Sequence, residues 1–146
     1  MTENKPEILL AEKNHYDVEF MLEALERFNL TDKTMVFRDG GDVLDYIAAT
    51  GKYSGCKTCE KLRVIILDIN LPKVDGLEIL QRIRTNEDTR MVPVVIFSSS
   101  TTNRDRIKSY ELGANSYINK PDSYNGFVNT FAEIGSYWIL QNVPAW

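Results

Sequence analysis

Histidine occurs once, at His15, and cysteine twice, at Cys56 and Cys59. A structural zinc site needs four ligands, from two C-x-x-C pairs or from one pair with added histidines. One pair and a distant His15 do not complete it. A thioredoxin-type C-x-x-C opens a helix directly after a strand. This pair instead lies between Gly51 and Lys61, in a stretch of Gly, Ser, Thr and Lys that reads as a loop. Two reduced loop thiols are expected, since a disulfide does not persist in a reducing compartment. There is no Lys/Arg run. The 17 basic residues against 21 acidic ones leave a net charge of −4, so the footprint of a nucleic-acid binder is missing. No apolar run approaches the ~20 residues of a membrane span. The opening residues, Met1 to Glu7, are polar and short, unlike a signal peptide. A cytoplasmic protein is expected, with no nucleic-acid or membrane partner.

What is present suits one globular domain. The chain has 146 residues, 43% hydrophobic and 26% charged. A chain of that length buries roughly 70% of the surface that it exposes unfolded. Short apolar runs alternate with helical spacing. Ile8-Leu9-Leu10-Ala11 reads as a strand, and Tyr16 to Phe28 as a helix with Phe20, Met21, Ala24, Leu25 and Phe28 on one side. Asp17 falls in its first turn, where a carboxylate suits the positive helix end. Thr34 to Phe37 is a second strand, followed by a helix through Val43, Leu44, Ile47 and Ala48. Leu62 to Leu67 is apolar on both faces and therefore a central strand. A helix carrying Leu77, Ile79, Leu80 and Ile83 follows. Pro93 to Phe97 is the fourth strand. Arg104 to Leu112 is a helix that Gly113 closes in the left-handed conformation. Ser116 to Asn119 is a fifth strand, and Ser123 to Leu140 the last helix.

Five strands alternating with five helices imply a parallel sheet covered on both faces, an α/β fold. Such sheets carry their sites at the carboxyl ends of the strands. The polar residues there are Glu12 and Lys13, then Asp68, then Ser98 to Ser100, then Lys120. A carboxylate beside a second acid can bind a hard cation such as magnesium. A carboxylate can also attack phosphorus and form an aspartyl-phosphate. That chemistry needs positive charge and donors around the phosphoryl oxygens, which Lys120, Ser98 and Ser99 can supply. Singly, each has a plainer reading as a helix cap or solvated loop residue; together, on four strand ends, they point to Asp68 as a reactive carboxylate.

These residues carry a resemblance. Ile8-Leu9-Leu10-Ala11-Glu12, Leu67-Asp68-Ile69-Asn70-Leu71-Pro72 with Asp75-Gly76, Val94-Val95-Ile96-Phe97-Ser98-Ser99, and Gly113 through Pro121 resemble the receiver domain of two-component response regulators. The segment around Cys56 and the aromatic tail with Tyr137-Trp138 are similar to single-domain regulators that partner phytochromes. The resemblance implies a flavodoxin-like (βα)5 fold with strand order 2-1-3-4-5. It implies one receiver domain over residues 1–146, with a short aromatic extension and no output domain. It makes Asp68 the phosphoacceptor for a sensor histidine kinase, and so not an enzyme beyond assisting its own phosphotransfer and dephosphorylation. Ser98 would be the switch hydroxyl, Tyr117 the switch aromatic and Lys120 the partner of Asp68. The bond from Lys120 to Pro121 would be cis. Magnesium would be held by Glu12, Asp68 and the backbone carbonyl of Asn70.

One position departs from the pattern. The second pocket acid, a direct metal ligand in the family, is Lys13 here. An ammonium cannot coordinate magnesium and repels it, so metal binding is expected to be weak or absent. Lys13 stands in the metal's place, or swings out and leaves Asp17 or Glu12 to compensate, or marks a phosphorylation-independent pseudo-receiver that works as a binding module. Asp17, a helical turn further on, is a poor replacement ligand on this reading, because magnesium demands near-ideal octahedral geometry. A haloacid-dehalogenase-type hydrolase would carry a second acid two residues after the nucleophile, where this chain has Asn70. Output would pass through protein contacts. The face of helix four, strand five and helix five, with Tyr110, Tyr117, Phe127 and Trp138, would support a homodimer, extended by the tail from Val143 to Trp146. The plainer reading of Phe127 and Phe131 is the core face of the last helix.

Overall fold

The computed structural model describes residues 5–146. Residues 1–4 of the polar N-terminal stretch, on which the expectation about a signal peptide partly rested, lie outside the described residues. Ten elements alternate: β1 Ile8–Ala11, α1 His15–Glu26, β2 Thr34–Phe37, α2 Gly40–Ala48, β3 Val64–Leu67, α3 Gly76–Thr85, β4 Val94–Ser98, α4 Asn103–Glu111, β5 Ser116–Asn119 and α5 Tyr124–Ser136. All strand pairs are parallel, in the order β2-β1-β3-β4-β5.

The alternation of strand side chains builds two apolar layers. Leu9, Ile65, Leu67, Val94 and Ile96 face α2 and α3, meeting Val43, Ile47, Ile79, Leu80 and Ile83. Ile8, Leu10, Val64, Ile66, Val95 and Phe97 face α1 and α5, meeting Met21, Leu25, Phe127 and Phe131. β1, β3 and β4 are buried throughout, which is why their sequences are apolar without alternation. α4 buries only Ser109, so it is the most exposed of the five helices. Among the described residues no helix is long and apolar enough to cross a membrane.

Side-chain caps fix where the helices start. Asn14, Asp39, Asp75, Thr102 and Ser123 each accept a hydrogen bond from a first-turn N–H, satisfying donors that have no partner within the helix. Gly76 opens α3 against the end of β3. Its N–H donates to the carbonyl of Ile69 at 2.8 Å, and a Cβ there would stand 2.3 Å from the carbonyl oxygen of Asp68. Gly113 has φ +103° after α4, the left-handed closure that its position suggested.

Several expectations shift by a turn or less. Ser98 is the last residue of β4 rather than a loop residue, because it pairs with Asn119 of β5. β3 begins at Val64, where pairing with Ile8 begins. The last helix stops being α-helical at Ser136 and widens into a π-helical turn, Tyr137–Gln141, which sets Trp138 and Ile139 against the α1–α5 layer. Phe28 is exposed beyond α1. The Lys120–Pro121 bond is not cis, since the described residues contain no cis peptide bond; trans is the lower-energy isomer of an X–Pro bond by ~0.5–1 kcal/mol.

The segment between α2 and β3 is anchored to α2. Tyr46 Oη donates to the carbonyl of Thr58 at 2.8 Å, and Thr58 Oγ1 donates back to the carbonyl of Tyr46. This clamp buries Cys59 while Cys56 stays exposed, both as free thiols. Burial pushes the Cys59 thiol above its ordinary range.

Candidate functional site

The parallel sheet delivers the site residues to one edge. Glu12 follows β1, Asp68 follows β3, Ser98 ends β4 and Lys120 follows β5. Backbone bonds carry the ladder past the strand ends and hold these residues in register. Glu12 N–H donates to Phe37 at 3.0 Å, Asp68 N–H to Ala11 at 3.1 Å, and Lys120 N–H to the carbonyl of Ser98 at 2.9 Å.

The Lys120 ammonium is the centre of the arrangement. It donates to Glu12 Oε1 at 2.6 Å, to Asp17 Oδ2 at 2.8 Å and to Asp68 Oδ2 at 2.8 Å. Glu12 and Asp68 are buried, and Asp17 is 22% exposed on its side chain. Burial pushes the Glu12 carboxyl up to about 7, with the Asp68 carboxylate adding to the rise and Lys120 opposing it. Burial draws the Lys120 ammonium down, but its hydrogen bonds to Asp17, Asp68 and Glu12 outweigh that and hold it above the ordinary lysine range. Three carboxylates thus share one fully used ammonium.

The remaining expected residues are arranged around this core. Asn70 N–H donates to Asp68 Oδ1 at 3.2 Å, so Asn70 is beside the carboxylate as expected. Ser98 is buried, and its Oγ accepts from Ser100 N–H at 3.2 Å. Tyr117 Oη donates to the carbonyl of Ser100 at 3.0 Å, and the Asn119 amide donates to the same oxygen at 2.6 Å. Together they tie the loop after β4 to β5. Asn119 carried no expectation from the sequence; its short amide at a strand end was the available signal.

Lys13 does not stand in the metal's place. It is exposed. Glu12 is held inward by Asn14 N–H, which donates to Glu12 Oε2 at 3.0 Å, and the chain then turns into the Asn14 cap, leaving residue 13 on the outside. Asp17 is the residue that the sequence undervalued. Its place in the first turn of α1 was legible, but not its reach to Lys120.

The donor set has the chemistry of a hard-cation site: carboxylate oxygens of Glu12, Asp17 and Asp68, with Asn70 adjacent. The spacing is that of an ammonium. Among the described residues no three His, Cys, Asp or Glu side chains are grouped to hold a metal. Magnesium needs oxygens at ~2.0–2.1 Å, closer than the 2.6–2.8 Å at which these carboxylates surround the ammonium.

The response regulator receiver domain family matches residues 8–131. The chain belongs to that family. This receiver is 36% identical over 135 residues to the probable methanogenesis regulatory protein FilR2 of Methanothrix harundinacea, covering 92% of this chain and 84% of that one. It is 32% identical over 132 residues to the response regulator Rcp1 of Synechocystis sp., covering 90% and 88%. A crystal structure of Rcp1 in its Mn2+-bound form superposes on the receiver with a TM-score of 0.86, at 29% identity, covering 97% of this chain and all of that one. The crystal structure of the phosphorylated cyanobacterial phytochrome response regulator RcpA superposes with a TM-score of 0.88 at 29% identity, covering 97% and 99%. The flavodoxin-like receiver fold is therefore shared with phytochrome-associated regulators.

Proposed function

We propose that this receiver accepts a phosphoryl group on Asp68 from a phosphohistidine of a sensor histidine kinase. The observation that supports it is the Asp68 carboxylate at the end of the central strand, with the Lys120 ammonium 2.8 Å from one oxygen. In the proposed reaction a carboxylate oxygen of Asp68 attacks phosphorus in line. The new O–P bond forms as the P–N bond breaks, and the imidazole leaves with the electron pair. Lys120 balances the charge that builds on the phosphoryl oxygens. Ser98 Oγ accepts from Ser100 N–H, which leaves its hydroxyl proton to donate to a phosphoryl oxygen. Glu12, Asp68 and the Asn70 carbonyl would hold magnesium, which when bound supplies further charge neutralisation at the phosphoryl group.

The exposed Lys13 leaves the Asp68 pocket without a second ammonium, which favours the phosphorylated reading over a phosphorylation-independent module. For output, the loop after β4 is held by Tyr117 on the Ser100 carbonyl, so a Ser98 drawn toward a phosphoryl group would disturb that tie. The α4–β5–α5 face exposes Ile107 and Tyr110, an apolar surface of the kind that interfaces use; Tyr124 turns instead toward α1, where its hydroxyl donates to Glu23 and its ring meets Phe20. A homodimer through this face is proposed, as is a phytochrome as the upstream kinase in the cytoplasm. Phe127 does not contribute to that surface, since it is buried against Phe97 and Phe20.

Incubating the full chain with acetyl phosphate tests the reading. One phosphoryl mass is expected on Asp68 and none in Asp68→Asn. An unchanged mass, with and without magnesium, would overturn it.

A further inference from the structure

The resemblance gives no part to Asp17, yet its carboxylate is one of the three that hold Lys120. We propose that Asp17 is a positioning residue for phosphoryl transfer, which together with Glu12 anchors the Lys120 ammonium so that its third N–H is aimed at the phosphoryl group on Asp68. The inference rests on Asp68 being the phosphoacceptor.

An ammonium has three donors. Here each goes to a different part of the fold: Glu12 at the end of β1, Asp17 in α1 and Asp68 at the end of β3. When Asp68 becomes an acyl phosphate, the N–H that it received is freed for a phosphoryl oxygen. The bonds to Glu12 and Asp17 are unaffected by that step. Two anchors fix the direction of the third N–H; one anchor leaves the ammonium to pivot on a flexible four-carbon stem. Asp17 itself is fixed, because its backbone N–H donates to the capping Asn14 Oδ1 at 3.2 Å.

A carboxylate near the reacting centre also repels the incoming phosphoryl group. Asp17 is 22% exposed on its side chain, whereas Glu12 and Asp68 are buried. Water screens its charge at the distance of the phosphoryl oxygens more than it weakens a direct 2.8 Å bond to the ammonium. Positioning therefore outweighs repulsion. The charge count agrees. With Lys13 turned outward, Asp17 supplies the carboxylate that residue 13 does not.

The test is the rate of Asp68 phosphorylation by acetyl phosphate, followed by intact-mass spectrometry on the full chain. Asp17→Asn is expected to slow it about 10-fold. Asp17→Glu, which keeps the charge and covers any loss of stability in the Asn variant, is expected to recover part of that rate. In a Lys120→Ala background, Asp17→Asn is expected to add nothing, since it acts through Lys120. Nitrogen-15 NMR of the lysine ammonium gives a readout free of phosphotransfer. The Lys120 ammonium protons are expected to be protected from exchange in the parent chain and to exchange faster in Asp17→Asn. An Asp17→Asn rate equal to or above the parent's overturns the inference, as does an equal loss with and without Lys120. A parent chain that takes up no phosphoryl group overturns the functional reading itself, and the two failures are told apart by that control.

Discussion

The Lys120 ammonium lies 2.6 Å from Glu12 Oε1, joining the ends of β5 and β1, two strands that β3 and β4 separate. The bond closes the carboxyl edge of the sheet across its middle, with Asp68 between its ends in the strand order.

Removing the ammonium should expose how much charge it balances. Lys120→Met leaves Glu12, Asp17 and Asp68 facing one another, two of them buried. A loss of ~3 kcal/mol is expected at pH 8 in chelator, the usual scale for an orphaned buried charge. Urea denaturation measures it. Added magnesium is expected to return part of the loss, because the centre then suits a divalent cation. An undiminished stability would mean that the carboxylates reach water on their own.

Glu12 sets a pH dependence of opposite sign to that of a salt-bridged acid. Its folded-state value, about 7, lies above the 4.5 of an ordinary glutamate. Between those values the folded chain binds the extra proton, so the contribution of Glu12 to stability falls as pH rises from 4.5 through 7. Glu12→Gln removes that dependence. The variant is expected to gain on the parent by up to ~3 kcal/mol between pH 5 and pH 8 in metal-free buffer. Denaturant midpoints at both pH values test this; a constant difference would sink it.

Gly76 tolerates no side chain. A Cβ there meets the Asp68 carbonyl at 2.3 Å, so Gly76→Ala has to push α3 away from β3. A destabilisation of ~3 kcal/mol is expected, with slower phosphorylation of a displaced Asp68.

Two aromatics separate core from surface. Phe127→Ala is expected to cost ~3–5 kcal/mol of stability. Tyr110→Ala, on the exposed face of α4, is expected to leave stability within ~0.5 kcal/mol and to weaken the proposed homodimer. Sedimentation velocity over a concentration series reads the second effect.

The residues show which parts of this architecture were legible. Asp68 stood out because four consecutive apolar residues precede it, and only a central strand needs such a run. Glu12 and Lys120 followed from the same rule applied to β1 and β5. For Lys13 the sequence left three outcomes open, because residue type does not say which way a strand-to-helix turn faces; the Asn14 cap sends residue 13 outward. Asp17 was underrated because its distance to Lys120 depends on where α1 packs. Phe127 was open to two readings because helical spacing marks a face without saying what covers it, and Phe97 and Phe20 cover this one.

The clamp between Tyr46 and Thr58 has a practical use. It leaves Cys56 in the open and Cys59 shielded, with a thiol that burial makes harder to ionise. A maleimide dye should therefore attach at one position only. That position precedes β3, at the end of the sheet remote from Asp68, so a fluorophore there can report on shape changes without entering the chemistry that causes them.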